Sequence, residues 1–294
     1  MSFLRYKTII EEGDLVIAHL SRENMTPLIV DSRKTYNNKF GTFKHKDMIG
    51  KEYGTKMPSH NGRGFMYLLH PTPELWTHVV PHRTQILYVA DISYIITYID
   101  LKPGSVVLES GTGSGSFSHS LARTIAPNGH LYTFEFHEER AKAVKKEFEE
   151  HGLSDLITVE CRDVCKDGFG ITNIVHAVFL DLPAPWEAIS AAKEAFKQNR
   201  IGKICCFSPC IEQVQRTCAS LNENGFVVAD AVNKIKVQQD KKRKRKDQNE
   251  QDDDNSSKSK QDPPNLYVTK TPNETKGHTS YLTFATFLPV LDDE

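Results

Sequence analysis

A strand-loop-helix passage constrains this chain more than any other feature: VVLE (106–109) runs into SGTGSGS (110–116) and then into SFSHSLARTI (116–125). A short apolar run bounded by turn residues reads as a buried strand, and a glycine loop between strand and helix lets a ligand approach the backbone closely. A strand covered on both faces needs parallel neighbours joined by helical crossovers. Further short buried strands follow at LYTFE (131–135), LITVE (156–160), AVFLD (177–181) and KICCFS (203–208). Between them Ala141, Val144 and Phe148 share one helical face ahead of a stop at Gly152. Ile189, Ala192 and Phe196 repeat that spacing, and Ile211, Val214, Cys218 and Leu221 repeat it again. The alternation predicts an α/β fold built on a mostly parallel, Rossmann-like sheet covered on both faces.

Residues 1–75 follow a different pattern, with LVIAHL, PLIVD and FMYLLH separated by glycines, which predicts short strands with tight turns in a small β-barrel or β-sandwich. Lysines here interleave with Tyr36, Phe40, Phe43, Tyr53 and Tyr67. Such a pattern either binds RNA or fills a small core under a solvated surface. The sheet-forming domain then occupies 76–294, interrupted at 238–262 by a segment without aliphatic or aromatic side chains that holds KKRKRK (241–246) and DDD (252–254). That insertion cannot offset its own ordering entropy and is expected to be disordered, whereas HTSYLTFATF (278–287) returns to strand-like alternation. KKRKRK reads as a nuclear import signal, an extra RNA contact or a charged loop.

With Lys+Arg 37 against Asp+Glu 38, the formal charge is -1, so a polyanion must be met by a local basic face, and a histone-like polycation is excluded. No apolar run approaches a membrane span, and MSFLRYKTIIEEGD carries acids where a signal peptide needs an apolar block. A soluble intracellular protein is expected, its six cysteines buried free thiols with no metal site.

The loop glycines fall at 111, 113 and 115, with Ser116 where a dinucleotide fingerprint would place its third glycine. The pattern E-x-G-x-G-x-G favours S-adenosylmethionine, which has no pyrophosphate to seat on a helix but carries an ammonium that Glu109 and loop carbonyls can accept. Glu135 closes the next strand, where a carboxylate can accept both ribose hydroxyls, and Arg140 follows it. Asp163 is placed to take an adenine amino group, with Val164 against the ring. Each of these acids alone is more often a surface residue or helix cap; in order after consecutive strands they converge on one crevice. AVFLD ends in Asp181 and runs on as LPAPW, whose prolines stiffen the backbone around the carboxylate. This loop resembles the D/N-P-P-Y motif of methyltransferases acting on nucleobase nitrogens; the alternative is that Asp181 caps the helix near Trp186.

Taken together, HPTPELWT (70–77), PHRTQILY (81–88), SGTGSGS, FLDLPAPW (179–186), FSPCIEQVQRT (207–217) and GHTSYLTFAT (277–286) resemble the catalytic subunit of the tRNA adenine-N1 methyltransferases that act at position 58 of the T loop. The resemblance spans nearly the whole chain except the charged insertion. It implies a class I methyltransferase fold and an S-adenosylmethionine site lined by Leu87, Glu109, Gly111, Gly113, Ser114, Gly115, Ser116, Glu135, Arg140, Asp163, Val164 and Asp181, the last of these also catalytic. It also implies substrate contacts from Gln85, Tyr88, Pro183, Ser208, Pro209, Cys210, His278 and Thr279. Eukaryotic members are nuclear heterotetramers, two copies each of the catalytic subunit and a related noncatalytic RNA-binding subunit. Three other readings compete. Against an isoaspartyl methyltransferase, a carboxylate substrate offers Asp181 no amino proton. Against a noncatalytic RNA-binding paralogue, a scaffold has no use for the intact glycine loop. Against a nucleotide-dependent oxidoreductase stands Ser116.

Overall fold

A computed structural model of the chain describes residues 3–21, 24–81, 83–235 and 278–289. The glycine-punctuated N-terminal sequence forms β1 (Leu15–Ser21), β2 (Asn24–Ile29), β3 (Thr35–Asn38), β4 (Gly41–Lys44), β5 (Lys56–Pro58) and β6 (Phe65–Leu69). An antiparallel sheet of order β2-β1-β6-β5 stands beside the β3-β4 hairpin. Both contribute to one apolar core that includes Val16, Ala18, Phe43, Met66 and Leu68. Of the aromatics interleaved with lysines, Phe43 is buried there and Tyr36, Phe40 and Tyr53 pack against it, so they fill the core first. Tyr67 is exposed beside Phe65, because strand alternation sends Met66 and Leu68 inward.

Two helices, α1 (Pro73–Val79) and α2 (Val89–Tyr98), lead into the second sheet. Thr72 starts the first by accepting the Leu75 N–H on its hydroxyl, with Pro73 at the first helical position. The alternation then unfolds as β7 (Val106–Ser110), α3 (Ser116–Ile125), β8 (His130–Glu135), α4 (Glu138–Glu150), β9 (Ile157–Cys161), α5 (Val164–Asp167), β10 (Ala177–Leu180), α6 (Pro185–Ala195), β11 (Gly202–Ser208), α7 (Ile211–Glu223), β12 (Phe226–Ile235) and β13 (His278–Phe287). The seven strands lie in the order β12-β13-β11-β10-β7-β8-β9. Strands β11, β10, β7, β8 and β9 run parallel, while β13 is antiparallel to both its neighbours.

Burial on both faces explains the near-continuous apolar strands. Leu131, Phe179 and Cys205 face one core, with Leu121 and Ile125; Leu108, Val178 and Cys206 face the other, with Ile189 and Ala192. The same alternation corrects the expectation for the cysteines. All six are free, but only Cys205 and Cys206 are buried; Cys165 and Cys218 are half-buried, and Cys161 and Cys210, at element ends, are exposed. Among the described residues no helix is long and apolar enough to cross a membrane. The expected disorder of 238–262 and the KKRKRK run lie outside the described residues.

Chain order reverses between β7 and β10: β8 and β9 lie on one side of β7, and β10 and β11 on the other. In a parallel sheet such a switch opens a crevice beyond the carboxyl ends of the strands.

Candidate active site

The crevice at the switch is a cleft of about 780 Å³. Its floor is the glycine loop. Gly111 has φ of +93°, and a Cβ there would lie 2.1 Å from the Asp181 carbonyl oxygen. Only glycine permits both that conformation and that approach, so the loop after β7 and the loop after β10 are packed backbone to backbone. Asp181 N–H donates to the Ser110 carbonyl at 2.8 Å, extending the β7–β10 pairing one step past the strand ends. Gly115 opens α3, and a Cβ on it would meet Val144 at 2.6 Å and the Phe148 ring at 3.0 Å. The loop is thus shaped by its contacts with the rest of the protein as much as by any ligand.

Glu135, at the end of β8, is buried and organises one wall. Its Oε2 accepts the Gly113 N–H at 2.9 Å; its Oε1 accepts the His137 N–H at 3.0 Å and both Nε (3.0 Å) and Nη2 (2.7 Å) of Arg140. Oε2 retains acceptor capacity toward the cleft. Glu109 is 1% exposed and lines the cleft floor. Its Oε2 accepts from Ser118 Oγ at 2.6 Å and Thr133 Oγ1 at 2.8 Å, and Thr133 in turn meets the Thr112 hydroxyl at 2.6 Å. Burial pushes this carboxyl up to about 7, against the pull of its two hydroxyl donors.

The segment ahead of α2 closes the cleft from the other side. Ser114 Oγ accepts the N–H of Arg83 (3.0 Å) and of Thr84 (3.2 Å), and Arg83 pairs with Glu147 on α4 at 2.6 Å. Behind the loop, His119 bonds the Gly115 carbonyl at 2.6 Å and His151 at 2.8 Å. Burial depresses both imidazoles, to about 4 and about 3, so the pair is neutral near pH 7. With one ring nitrogen on the Gly115 carbonyl and the other on its partner ring, His119 acts as a rigid prop for the loop.

Past Asp181 the chain reads Leu182, Pro183, Ala184, and α6 starts at Pro185 with Ala184 as its N-cap, without a side-chain cap. The helix-cap alternative for Asp181 therefore fails, and Asp181 lines the cleft, as do Pro183 and Pro209. Gln213 of α7 spans the two loops: Oε1 accepts the Cys210 N–H at 3.1 Å and Nε2 donates to the Pro183 carbonyl at 2.9 Å.

Comparison with known proteins agrees with this geometry. Residues 64–246 match the family described as tRNA methyltransferase complex GCD14 subunit. The chain belongs to this family. It is 44% identical to the tRNA (adenine(58)-N(1))-methyltransferase catalytic subunit of Candida albicans over 98% of this chain and 99% of that protein. Its identity to the subunit of the same description from Dictyostelium discoideum is 45%, over 96% and 97%. Among solved structures, a SAM-dependent O-methyltransferase from Thermotoga maritima superposes with a TM-score of 0.77 at 25% identity, covering 98% of this chain and 97% of that one. The tRNA (m1A58) methyltransferase of Aquifex aeolicus superposes at 0.71 with 22% identity, over 96% and 100%, and shares the fold.

Within this family member, the cleft brings together most of the residues singled out in the sequence: Gln85, Leu87, Glu109, Gly111, Gly113, Ser114, Ser116, Glu135, Arg140, Asp163, Val164, Asp181, Pro183 and Pro209. Asp163 is also the N-cap residue of α5, without a side-chain cap bond, and pairs with Lys166 at 3.1 Å. Several expected residues do not line the cleft. Gly115 lies behind the loop against α4. Tyr88, the N-cap residue of α2, is 48% exposed. Ser208, last in β11, is turned into the interior with its hydroxyl unpartnered. Cys210 is exposed, and its sulfur is engaged in the capping box that starts α7. His278 pairs with Ile235 at the start of β13, and the side chains of His278 and Thr279 lie outside the described residues. Sequence reasoning missed Thr84, Thr112, Thr133 and Gln213. Only Gln213 carried a local signal, a glutamine three residues after the cap position of α7.

Proposed function

We propose that this chain is the catalytic subunit of a tRNA (adenine(58)-N1)-methyltransferase that uses S-adenosyl-L-methionine. The observation that carries the reading is the backbone contact of Gly111 with Asp181, which holds a candidate cofactor loop and a candidate base-binding carboxylate in one rigid unit. The residues present fit the cofactor. Glu135 offers a buried carboxylate with free acceptor capacity to a ribose, Asp163 and Val164 supply an acceptor and an apolar wall for an adenine, and Glu109 faces the floor where a methionine ammonium would be held. When bound, that cofactor supplies an electrophilic methyl group on a sulfonium and is left as S-adenosyl-L-homocysteine.

The protein's part follows from Asp181. Its carboxylate accepts a hydrogen bond from the exocyclic amine of the target adenine and orients N1, whose own lone pair forms the new bond, so no base is needed beforehand. The methylated adenine is cationic. A fixed carboxylate therefore stabilises the transition state more than the neutral ground state. Pro183 and Pro185 keep the Asp181 loop from adjusting, so the charge is in place before reaction. Gln85, Pro183 and Pro209 form the surround of the base, which must first be extruded from the folded T loop at a cost of a few kcal/mol.

The family's description as part of a complex, together with a formal charge of -1, supports a further reading: a related noncatalytic subunit supplies most phosphate contacts, in a heterotetramer of two of each. A nuclear location, with KKRKRK as the import signal, and action on T-loop-like sites in other RNAs complete the proposal. The test is nucleoside mass spectrometry on unmodified tRNA incubated with S-adenosylmethionine and the chain, alone and co-purified with cellular partners, beside Asp181→Ala. N1-methyladenosine from the partnered wild type, lost in a variant that still binds the cofactor, is expected. No methylated base from any sample that binds the cofactor overturns the substrate, and full activity of Asp181→Ala overturns the residue.

A further inference from the structure

We propose that Gln213 is a positioning residue for methyl transfer, holding the Asp181 loop at a fixed distance from the turn after β11; the inference rests on the reaction proposed above. Two walls of the cleft are the loop after β10, through Asp181, Leu182, Pro183 and Ala184, and the turn after β11, through Phe207 and Pro209. They leave the sheet from adjacent parallel strands, whose pairing ends at Leu180 opposite Cys206. Beyond that rung the ladder no longer sets their separation. Pro183, Pro185 and Pro209 have no N–H to donate, so at these residues the backbone can join the walls only by accepting on a carbonyl.

One side-chain amide takes over. The Cys210 N–H donates to Gln213 Oε1 at 3.1 Å, and Gln213 Nε2 donates to the Pro183 carbonyl at 2.9 Å. Exchanging the amide oxygen and nitrogen would set donor against donor at Cys210 and acceptor against acceptor at Pro183, so the assignment is unique. Gln213 is half-buried on the first turn of α7 and lines the cleft itself. The two halves of the amide have different consequences. Its oxygen belongs to the capping box of α7 and serves the helix; its nitrogen reaches across to the loop two residues after Asp181 and serves the site.

Glu at this position separates the two. A carboxylate still accepts the Cys210 N–H, at a helix N-terminus where negative charge is favoured, but presents an acceptor to the Pro183 carbonyl and pushes the loop away. The experiment compares wild type, Gln213→Glu and Gln213→Met, each as the full chain co-purified with its partner. It measures melting temperature, S-adenosylmethionine affinity by calorimetry, and the KM and kcat of N1-methyladenosine formation on unmodified tRNA. Gln213→Glu should melt no lower than wild type and bind the cofactor within twofold. Its kcat should fall about 30- to 100-fold with KM for tRNA changed less than threefold, as expected of a catalytic group displaced by a fraction of an ångström to 1 Å. Gln213→Met, which loses both bonds, should show the same fall in kcat together with a lower melting temperature. If Gln213→Glu turns over within threefold of wild type, or if its rate falls only in step with cofactor affinity or melting, Gln213 is a helix cap alone and the proposal is overturned. The wild-type arm reads the reaction itself: an active wild type beside an equally active Gln213→Glu removes the role of Gln213 only, whereas no N1-methyladenosine from wild type removes the parent assignment and this one with it.

Discussion

Replacing Gly111 by alanine should disable methyl transfer while leaving a folded protein. The new Cβ would stand 2.1 Å from the Asp181 carbonyl oxygen, where real contacts essentially never fall below 3.0 Å, so the two loops must separate by at least about 0.9 Å. The Asp181 N–H bond to Ser110 at 2.8 Å ties that same residue to β7, so the movement cannot be taken up without shifting the carboxylate. A displacement of about 1 Å at a reacting group can cost about 100-fold in rate. Alanine at φ +93° also carries roughly 1–2 kcal/mol of left-handed strain. Gly104 supplies the control, because it has φ of +87° with nothing within 4 Å of its built Cβ. Gly104→Ala should therefore show the strain alone, a fall in melting temperature of roughly 2–4 °C per kcal/mol, with an unchanged rate per folded molecule. Gly111→Ala should melt lower still and lose about 100-fold in N1-methyladenosine formation at saturating cofactor. A rate for Gly111→Ala within threefold of Gly104→Ala would refute the argument that backbone contact sets the position of Asp181.

Glu109→Gln should alter how stability depends on pH. Burial raises this carboxyl from 4.5 to about 7, so the folded state is penalised once the group ionises: the favourable contribution of the neutral acid is complete below about pH 4.5 and is lost as pH rises through about 7. Between pH 5 and 8 the variant should gain on wild type by on the order of 3 kcal/mol in chemical denaturation, and parallel profiles would show that Glu109 is not the group concerned. Arg140→Ala removes two of the hydrogen bonds that orient Glu135, and cofactor affinity should drop about tenfold or more by calorimetry; an unchanged Kd would mean that Glu135 needs no orienting partner. Deleting Lys241 to Lys246 should leave the activity of the partnered protein intact and move it from nucleus to cytoplasm, and unaltered nuclear staining would return that run to a charged loop.

What the sequence determined by itself is what short stretches of chain encode. The strands at VVLE, LYTFE, LITVE, AVFLD and KICCFS were legible because a strand buried on both faces must be apolar along its length, and HTSYLTFATF was recognisable as one more strand by its alternation. The glycine loop, Glu135 and Asp181 were legible because each sits at the carboxyl end of such a strand, which the parallel topology turns toward a single crevice. The tertiary structure alone decided what depends on residues far apart in sequence. It inserted β13 between β11 and β12, it turned Gly111 toward Asp181 rather than toward a ligand alone, and it set Thr84, thirty residues upstream, on the Ser114 hydroxyl. It also raised the Glu109 carboxyl, since only packing removes water from around it, and sent Ser208 inward and Tyr88 outward from a cleft that both were expected to line. Local pattern specifies which segments become strands, helices and turns; which polar atoms meet is set by sheet register and helix packing, where a single residue's shift moves a side chain from the cleft to the core.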